Sequence, residues 1–172
     1  MAETKNRIQV AVRGDGATFR ITGRATFDVA PPFKEACEGL LAADCRAFTL
    51  ELANCETMDS TFLGVLIRLA RRVKERSPAG TVTLAAMPAK VREQVSSLGV
   101  LSFFRIADET ESHDADFQAV NAAASKTQIT EVSLEAHQEL MATSAENEQR
   151  FKDVVAFLNE DLKRLPPRPG GA

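Results

Sequence analysis

The sequence predicts an α/β fold in which helices cover a mixed β-sheet and a helical C-terminal extension follows. Over about the first 107 residues, runs that alternate apolar and polar side chains are interspersed with runs of helical period. Strands that alternate with helices indicate crossover connections and therefore largely parallel pairing. Two neighbouring strands near the N-terminus flank a Gly-rich turn and predict one antiparallel pair. Beyond residue 130, helix-forming residues continue without Gly or Pro until Pro166.

The predicted elements follow in the order β-β-α-β-α-β-α-β. The runs RIQVAVR and ATFRITG surround the turn GDG and predict a β-hairpin. A helix follows Pro31-Pro32, because proline is tolerated in the first helical turn. AFTLEL predicts a buried strand, and helical spacing from Thr61 to about Arg76 predicts the second helix. TVTLAAM predicts a further strand, PAKVREQVSSLG a helix that ends near Gly99, and LSFFRI the last strand.

Composition indicates an ordinary globular protein, with 44% hydrophobic and 26% charged residues among 172. The net charge of -3 disfavours nucleic acid as the main partner, since phosphate binding requires an excess of Lys and Arg. We expect a cytoplasmic protein, because neither a signal peptide nor a membrane span of about 20 apolar residues is recognisable. No metal and no cofactor is predicted. Three cysteines without CxxC spacing are expected to be reduced core thiols: Cys37, Cys45 and Cys55.

The chain changes character after the predicted domain, which spans residues 1–110. Residues 111–129 are polar and Ala-rich and predict a linker, with a short helix at about 116–123. Residues 130–165 predict a helical extension, and residues 166–172 a flexible tail. The second half of the extension carries an apolar stripe of near-heptad spacing, which is typical of self-association. Its members are Phe151, Val154, Val155, Leu158, Leu162 and Leu165.

The stretch MDSTFLG stands where the sequence period changes from strand to helix. Asp59, Ser60 and Thr61 are residue types that satisfy the unpaired N–H groups of a helix start. On local grounds an ordinary helix cap therefore accounts for them. Gly64 falls in the first turns of the helix, where glycine costs about 1 kcal/mol relative to alanine. That cost predicts a close backbone approach at this position.

The same helix has two apolar stripes, one with Phe62, Val65 and Leu69 and the other with Leu63, Leu66, Ile67, Ala70 and Val73. Two alternatives follow: one stripe covers the sheet while the other binds a partner, or both stripes are buried. A phosphate on Ser60 would add about 1.5 to 2 negative charges beside a partner docked on Phe62 and Val65. Such a change is a physically reasonable switch.

An active site is not expected at this stretch. The histidines, His113 and His137, lie outside the predicted βα core, and nothing in the sequence places a base beside Ser60. A hydrolase would also need a Gly-x-Ser-x-Gly elbow. A receiver-like phosphoaspartate site at Asp59 would need further acids at strand ends, and the first strand ends without one. We therefore predict a protein that is not an enzyme.

The order of elements, with Asp-Ser-Thr-x-Leu-Gly at the head of the second helix, resembles the STAS domain. More specifically, it resembles the single-domain anti-sigma factor antagonists of bacteria, whose motif reads Asp-Ser-Ser/Thr-Gly-Leu-Gly. The segments AFTLELANCETMDS and ITGRAT are similar to the family's corresponding segments, and the resemblance covers about residues 6 to 107. The residues that match the motif are Asp59, Ser60, Thr61, Leu63 and Gly64.

This resemblance implies a phosphorylation-controlled partner-switching module in transcription regulation, with Ser60 as phosphoacceptor and Thr61 as the second candidate. The implied partner is an anti-sigma factor that is also a serine kinase, and a serine phosphatase reverses the modification. The unphosphorylated form binds the anti-sigma factor, and any ATP belongs to the kinase. The resemblance places partner binding on the motif and its flank: Asp59, Thr61, Phe62, Gly64 and Val65.

Two departures from the family pattern leave a second function open. Phe62 replaces the usual glycine of the motif, and the acid expected shortly after Gly23 is missing, with Asp28 the nearest. The alternative is a scaffolding STAS subunit of a larger cytoplasmic assembly, stressosome-type or lipid-transport-associated, that does not use the switch. The stripe in residues 130–165 favours this alternative through a homo-oligomer. The extension could instead pack back on the domain or bind another regulator.

Overall fold

A computed structural model describes residues 5–111, 115–120 and 122–168. Within these residues the strands are β1 Arg7–Arg13, β2 Gly16–Ala25, β3 Ala47–Met58, β4 Thr81–Ala85, β5 Arg105–Ala107 and β6 Gln118–Ala119. The helices are α1 Ala30–Ala42, α2 Ser60–Arg76, α3 Ala89–Ser97, α4 Lys126–Met141 and α5 Ala145–Arg164. The predicted order β-β-α-β-α-β-α-β is therefore confirmed.

The described strands form one mixed sheet in the order β5-β4-β3-β2-β1-β6. β1 and β2 are antiparallel and meet at a turn in which Gly14 has φ +62°, as the predicted hairpin requires. The pairs β2–β3, β3–β4 and β4–β5 are parallel, because α1, α2 and α3 supply the crossover connections. The parallel pairing places the carboxyl end of β3 directly before α2, and this is where MDSTFLG lies.

The core forms between the sheet and the first two helices. Alternate residues of β2 are buried, which is the pattern of a strand with one covered face, while residues 50–52 of the central strand β3 are all buried. Phe33 of α1 contacts both neighbouring layers: its ring lies edge-on to Phe19 of β2 at 4.8 Å and stacks on Phe62 of α2 at 4.6 Å. Cys37, Cys45 and Cys55 are unpaired and buried, as expected.

Two segments differ from the sequence-based expectation. The run LSFFRI begins as a single 3-10 turn, Leu101–Phe103, and only its end contributes to β5. The short helix expected at about 116–123 is wrong, since β6 lies there and pairs antiparallel with β1. The amide of Val120 also donates to the carbonyl oxygen of Ile8 at 2.8 Å. An unpaired edge of β1 offers backbone hydrogen bonds, and these outweigh the weak helical preference of an Ala-rich segment.

The extension forms two helices joined at residues 142–144, and we call α4 and α5 together the C-terminal hairpin. α4 begins at Lys126, four positions before the predicted start, because Ser125 and Gln128 form a capping box. The polar run TSAENEQR interrupts the predicted helical extension, since Ser144 caps α5 by accepting a hydrogen bond from the amide of Asn147. At the other end of the hairpin, Thr127 Oγ1 donates to the Pro166 carbonyl oxygen at 2.7 Å. Residues 169–172 of the predicted tail lie outside the described residues.

The C-terminal hairpin packs back on the domain, which was one of the three roles left open. α4 lies on α2 and α1, and α5 lies on α4. Asn147 of α5 is buried and its Nδ2 donates to the Leu98 carbonyl oxygen after α3 at 2.9 Å. The near-heptad stripe is divided, because Phe151 is buried while Val154 is 38% exposed; Phe157, which is not part of the stripe, is 69% exposed. Across the described ranges, no helix is both long and apolar enough to cross a bilayer.

Candidate functional site

Asp59 is the N-cap of α2, as the sequence predicts. Its Oδ1 accepts a hydrogen bond from the amide of Phe62 at 2.8 Å, which satisfies one of the free N–H groups of the helix start. Its Oδ2 accepts a second hydrogen bond, also at 2.8 Å, from the amide of Phe27 in the loop between β2 and α1. One carboxylate thus fixes both the start of α2 and the neighbouring loop.

The surroundings of Asp59 affect its charge. Desolvation by burial raises the pKa of Asp59, and the hydrogen bonds from Phe62 and Phe27 and the nearby His137 offset part of that rise. Asp28 raises the same pKa by Coulomb repulsion, so the nearest acid after Gly23 lies at this site. Phe27 is 51% exposed beside it. The loop at Phe27 and Asp28 therefore belongs to the site, although no sequence pattern indicated Phe27.

Ser60 occupies the first helical position of α2 and contacts a histidine. Its Oγ lies 2.9 Å from Nε2 of His137, a residue of α4 that is only 6% exposed. The other ring nitrogen, Nδ1, lies 2.6 Å from the carbonyl oxygen of Ser133. In the neutral ring Nδ1–H therefore donates to the Ser133 carbonyl oxygen, and Nε2 accepts a hydrogen bond from the Ser60 hydroxyl.

The expectation that no base lies beside Ser60 is thus wrong for His137, and His113 lies outside the described residues. The sequence placed His137 outside the βα core, which is correct, but α4 returns to the head of α2. A helical spacing in the sequence could have indicated that this face of α4 is buried. Its members, which lie on one face and are all buried, are Ser133, Ala136, His137 and Leu140. This pairing could polarise the Ser60 hydroxyl. His137 belongs to α4 and is buried, whereas Ser60 is half-buried, so the contact between them restricts the approach of an external substrate to the hydroxyl.

Gly64 makes the close backbone approach that its position in a helix predicts. A Cβ atom added there would lie 2.6 Å from both the carbonyl carbon and the Cβ of Ala136, and still closer to the Ala136 oxygen. Real Cβ atoms do not approach other heavy atoms so closely. The absence of a side chain at Gly64 is therefore what allows α4 to lie against α2.

The two apolar stripes of α2 are both buried in this conformation. Phe62 is 0% and Val65 4% exposed, and Phe62 stacks on Phe33 of α1. The alternative in which Phe62 and Val65 face outward toward a partner is thus not the arrangement found. α1 covers this part of α2 through Phe33.

Ion pairs and a hydroxyl contact complete the seam between α4 and the domain. Glu139 of α4 pairs with Arg71 at 2.6 Å and with Arg68 at 3.7 Å, both on α2. Glu135 pairs with Lys34 of α1. Thr61 is buried beneath α4 and its Oγ1 lies 3.4 Å from Ser133 Oγ. In the part of the chain that the structure describes, no cluster of three or more His, Cys, Asp or Glu side chains could hold a metal ion.

Three solved structures have a similar fold. A putative anti-sigma factor antagonist from Thermotoga maritima is 21% identical with a TM-score of 0.52, and the match covers 58% of this chain and 84% of that one. SpoIIAA, an anti-sigma factor antagonist in its unphosphorylated form, is 15% identical with a TM-score of 0.52, covering 58% and 87%. An anti-sigma factor antagonist from Mycobacterium paratuberculosis is 16% identical with a TM-score of 0.51, covering 60% and 86%. These likenesses show the fold.

No curated protein matches the chain. A family model does match it, over residues 8–104, and its description is "Mlab, STAS domain". The match begins in β1 and ends just before β5, so that it contains MDSTFLG and leaves the C-terminal hairpin outside. It covers more than half of the 172 residues. The chain therefore belongs to this family of STAS domains.

Proposed function

We propose that the chain is an anti-sigma factor antagonist whose phosphorylation at Ser60 controls partner switching in transcription regulation. The observation that carries this proposal is the position of Ser60 at the head of α2, directly after the Asp59 cap, in a STAS fold. Solved structures with a similar fold are anti-sigma factor antagonists, and SpoIIAA among them has a named unphosphorylated form. The protein then acts in the cytoplasm as a binding module and a kinase substrate, not as an enzyme.

The proposed modification is a phosphoryl transfer from ATP held by the partner kinase. The Ser60 oxygen attacks the γ-phosphorus, the new O–P bond forms as the bond to ADP breaks, and the hydroxyl proton passes to a base. The phosphate adds about 1.5 to 2 negative charges at the N-terminus of α2, where free amides and the helix dipole favour an anion. A serine phosphatase returns the hydroxyl by adding water across the O–P bond.

The proposed partner is the anti-sigma factor that is also the serine kinase, and it binds the unphosphorylated form. We place its contact on Asp59, Thr61 and Gly64 at the head of α2. Phe62 and Val65 support this surface from beneath, because they hold α2 against α1. Thr61 remains the second candidate phosphoacceptor, but its burial favours Ser60.

The test is the phosphorylation state of the protein in its native cell together with partner capture. Mass spectrometry should find one phosphate, at Ser60, and Ser60→Ala should remove it. Affinity capture should recover the same serine kinase with the wild type and with Ser60→Ala, and should lose it with Ser60→Asp. Ser96→Asp, at an exposed position of α3, is the matched charge control and should retain the kinase. Phosphate transfer that survives Ser60→Ala, or kinase capture by Ser60→Asp equal to that by the wild type, would contradict the proposal.

A second candidate is the scaffolding STAS subunit of a larger cytoplasmic assembly. It is favoured by two neighbouring apolar side chains of α5 that face solvent, Val154 and Phe157. In addition, the family description names Mlab and not an anti-sigma factor antagonist. Light scattering of the full chain should then show a mass above that of one chain, and Val154→Ser with Phe157→Ser should reduce it. A single-chain mass for the unsubstituted protein at all concentrations would rule against a homo-oligomer.

A further inference from the structure

We infer that α4 competes, within the same chain, for the surface of α2 that a partner and a kinase must reach. We call this surface the docking face; it consists of Ser60, Thr61, Gly64, Arg68 and Arg71. In the closed arrangement α4 occupies the docking face, so that the C-terminal hairpin acts as an autoinhibitory segment. The inference rests on the proposed function and adds how access to Ser60 is regulated and which kind of helix can replace α4.

The docking face is a single face of a helix. Residues 60, 64, 68 and 71 recur at intervals of three and four along α2, which places their side chains in one row. Each contacts α4: Ser60 contacts His137, Gly64 contacts Ala136, and Arg68 and Arg71 contact Glu139. α4 thus contacts α2 along about three turns of α2.

A phosphate on Ser60 and a docked α4 exclude each other. His137 Nε2 lies 2.9 Å from Ser60 Oγ, a distance that a hydrogen-bonded proton fills completely. A phosphorus atom and three further oxygens on Ser60 would occupy the volume of the His137 ring. A kinase meets the same obstacle, since its ATP must approach the oxygen that His137 covers. The Ser60 hydroxyl is therefore a substrate only when α4 has left.

The contacts of α4 define the chemistry of a helix that could replace it. Opposite Gly64 the helix needs a small residue, because a longer side chain would prevent the close approach that Ala136 makes. Three positions later it needs an acid, as Glu139 is, to pair with Arg68 and Arg71. The partner element that fits is an amphipathic helix with a small-x-x-acid pattern. Such a helix competes with α4 for one surface and does not bind beside it.

The hairpin can detach because little of the core belongs to it. It contributes Val132, Ala136, Leu140 and Phe151 to the buried apolar cluster, while the other members come from residues 8–104. The family match also ends before the hairpin. The remaining contacts of α4 are largely hydrogen bonds and ion pairs, which exchange readily for water. Opening of the hairpin therefore leaves the sheet and its first three helices in place.

The experiment measures access to position 60 in the full chain with N-ethylmaleimide. Ser60→Cys provides a thiol at the docking face, and Ser96→Cys provides an exposed reference thiol on α3. A free thiol at a helix N-terminus has a lowered pKa and should react at least as fast as the reference. We expect the thiol of Ser60→Cys to react at least about tenfold more slowly, because α4 covers it. The unsubstituted chain corrects for the three buried native thiols.

Two further substitutions in α4 test the cause of the protection. Adding Ala136→Arg forces α4 away from Gly64, and the alkylation rate should rise to within about threefold of the reference. Adding Glu139→Lys instead repels Arg68 and Arg71 without adding bulk at the close contact, and should give an intermediate rate. Circular dichroism verifies that both chains remain folded. Equal rates for Ser60→Cys and the reference would overturn the inference, as would protection that neither substitution relieves in a folded chain.

The assay needs no kinase, so its failure is distinguishable from failure of the proposed function. If α4 substitutions release a protected thiol but the native protein is never phosphorylated at Ser60, the autoinhibitory contact stands and the assignment of Ser60 as phosphoacceptor fails. If the native protein is phosphorylated at Ser60 but the thiol of the Ser60→Cys variant reacts freely, the phosphoacceptor stands and the autoinhibitory contact fails. Where both hold, Ala136→Arg should also raise the phosphorylated fraction of Ser60 in the native cell.

Discussion

Gly64→Ala has two opposed effects on stability, one from helix propensity and one from the close contact with α4. In an isolated helix the change is favourable, because alanine has a higher helix propensity than glycine by about 1 kcal/mol. In the folded chain the new Cβ would lie 2.6 Å from the carbonyl carbon and Cβ of Ala136. The nearest atoms belong to the backbone of α4, which cannot rotate away as a flexible side chain would.

The sign of the effect follows from the size of the overlap. Ordinary contact begins near 3.4 Å, so α4 must move by roughly 1 Å, a shift that lengthens the ion pairs of Glu139 and the Ser60–His137 contact. Overpacking of this kind costs about 1–3 kcal/mol, from which the gain in helix propensity is subtracted. We therefore expect Gly64→Ala to lower the free energy of unfolding by up to about 2 kcal/mol.

Urea unfolding with hydrogen exchange on α4 peptides measures both the stability and its location. Gly39→Ala in α1 is the matched control, because a Cβ there meets no atom within 4 Å and should stabilise the protein by about 0.5–1 kcal/mol. Exchange in α4 should accelerate with Gly64→Ala and stay unchanged with Gly39→Ala. If Gly64→Ala stabilised the protein as much as the control and left α4 protected, the close approach of the two helices would be refuted.

Three further predictions concern the same region and the core. Asp59→Ala removes both hydrogen bonds of the α2 cap and should lower the free energy of unfolding by about 1–2 kcal/mol in urea titrations, with Ser96→Ala as a neutral comparison. His137→Ala leaves Ser60 Oγ without this partner and opens a gap beside Phe151, so a loss of about 2–4 kcal/mol and faster exchange of α4 amides are expected. Burial raises the pKa of the Cys55 thiol from 9.0 to about 11, so the unfolded state loses this proton first and stability should fall by up to about 2–3 kcal/mol as pH rises from 9 to 11. Cys55→Ala should flatten that part of the pH profile; an identical slope in both proteins would contradict the assignment.

Local patterns predicted the elements of the fold because their causes are local. The alternation in β2 and the helical spacing of α2 reflect which face of each element is covered, and the structure confirms them. The alternation in β1 holds only at its start, since Ile8 and Ala11 are buried while Val12 is 55% exposed. β6 has no such pattern. Its two paired residues are extended because β1 offers them a partner, and pairing over a long sequence separation leaves little trace in a short segment.

The candidate site likewise has features that local sequence predicts and features that it does not. Asp59 as a cap and Gly64 as a position of close approach follow from the requirements of one helix, so the sequence sufficed for them. What approaches Gly64 did not follow, because the answer lies in a helix more than 60 residues further along the chain. His137 was placed apart from Ser60 for that reason. The pattern that would indicate the contact between α2 and α4 is a small residue on each helix, a glycine on one and an alanine on the other.

The attachment of the C-terminal hairpin determines where a reporter of its motion should be placed. Backbone pairing with the sheet continues to Val120, and Thr127 is tied to Pro166, so both ends of the hairpin remain near one pivot. α4 has 16 residues and is therefore about 24 Å long, so a rotation of about 30° would move the turn at 142–144 by about 12 Å. A dye at Pro166 would stay beside the pivot and record almost nothing. A dye on the turn, paired with one on α3, would record the full displacement.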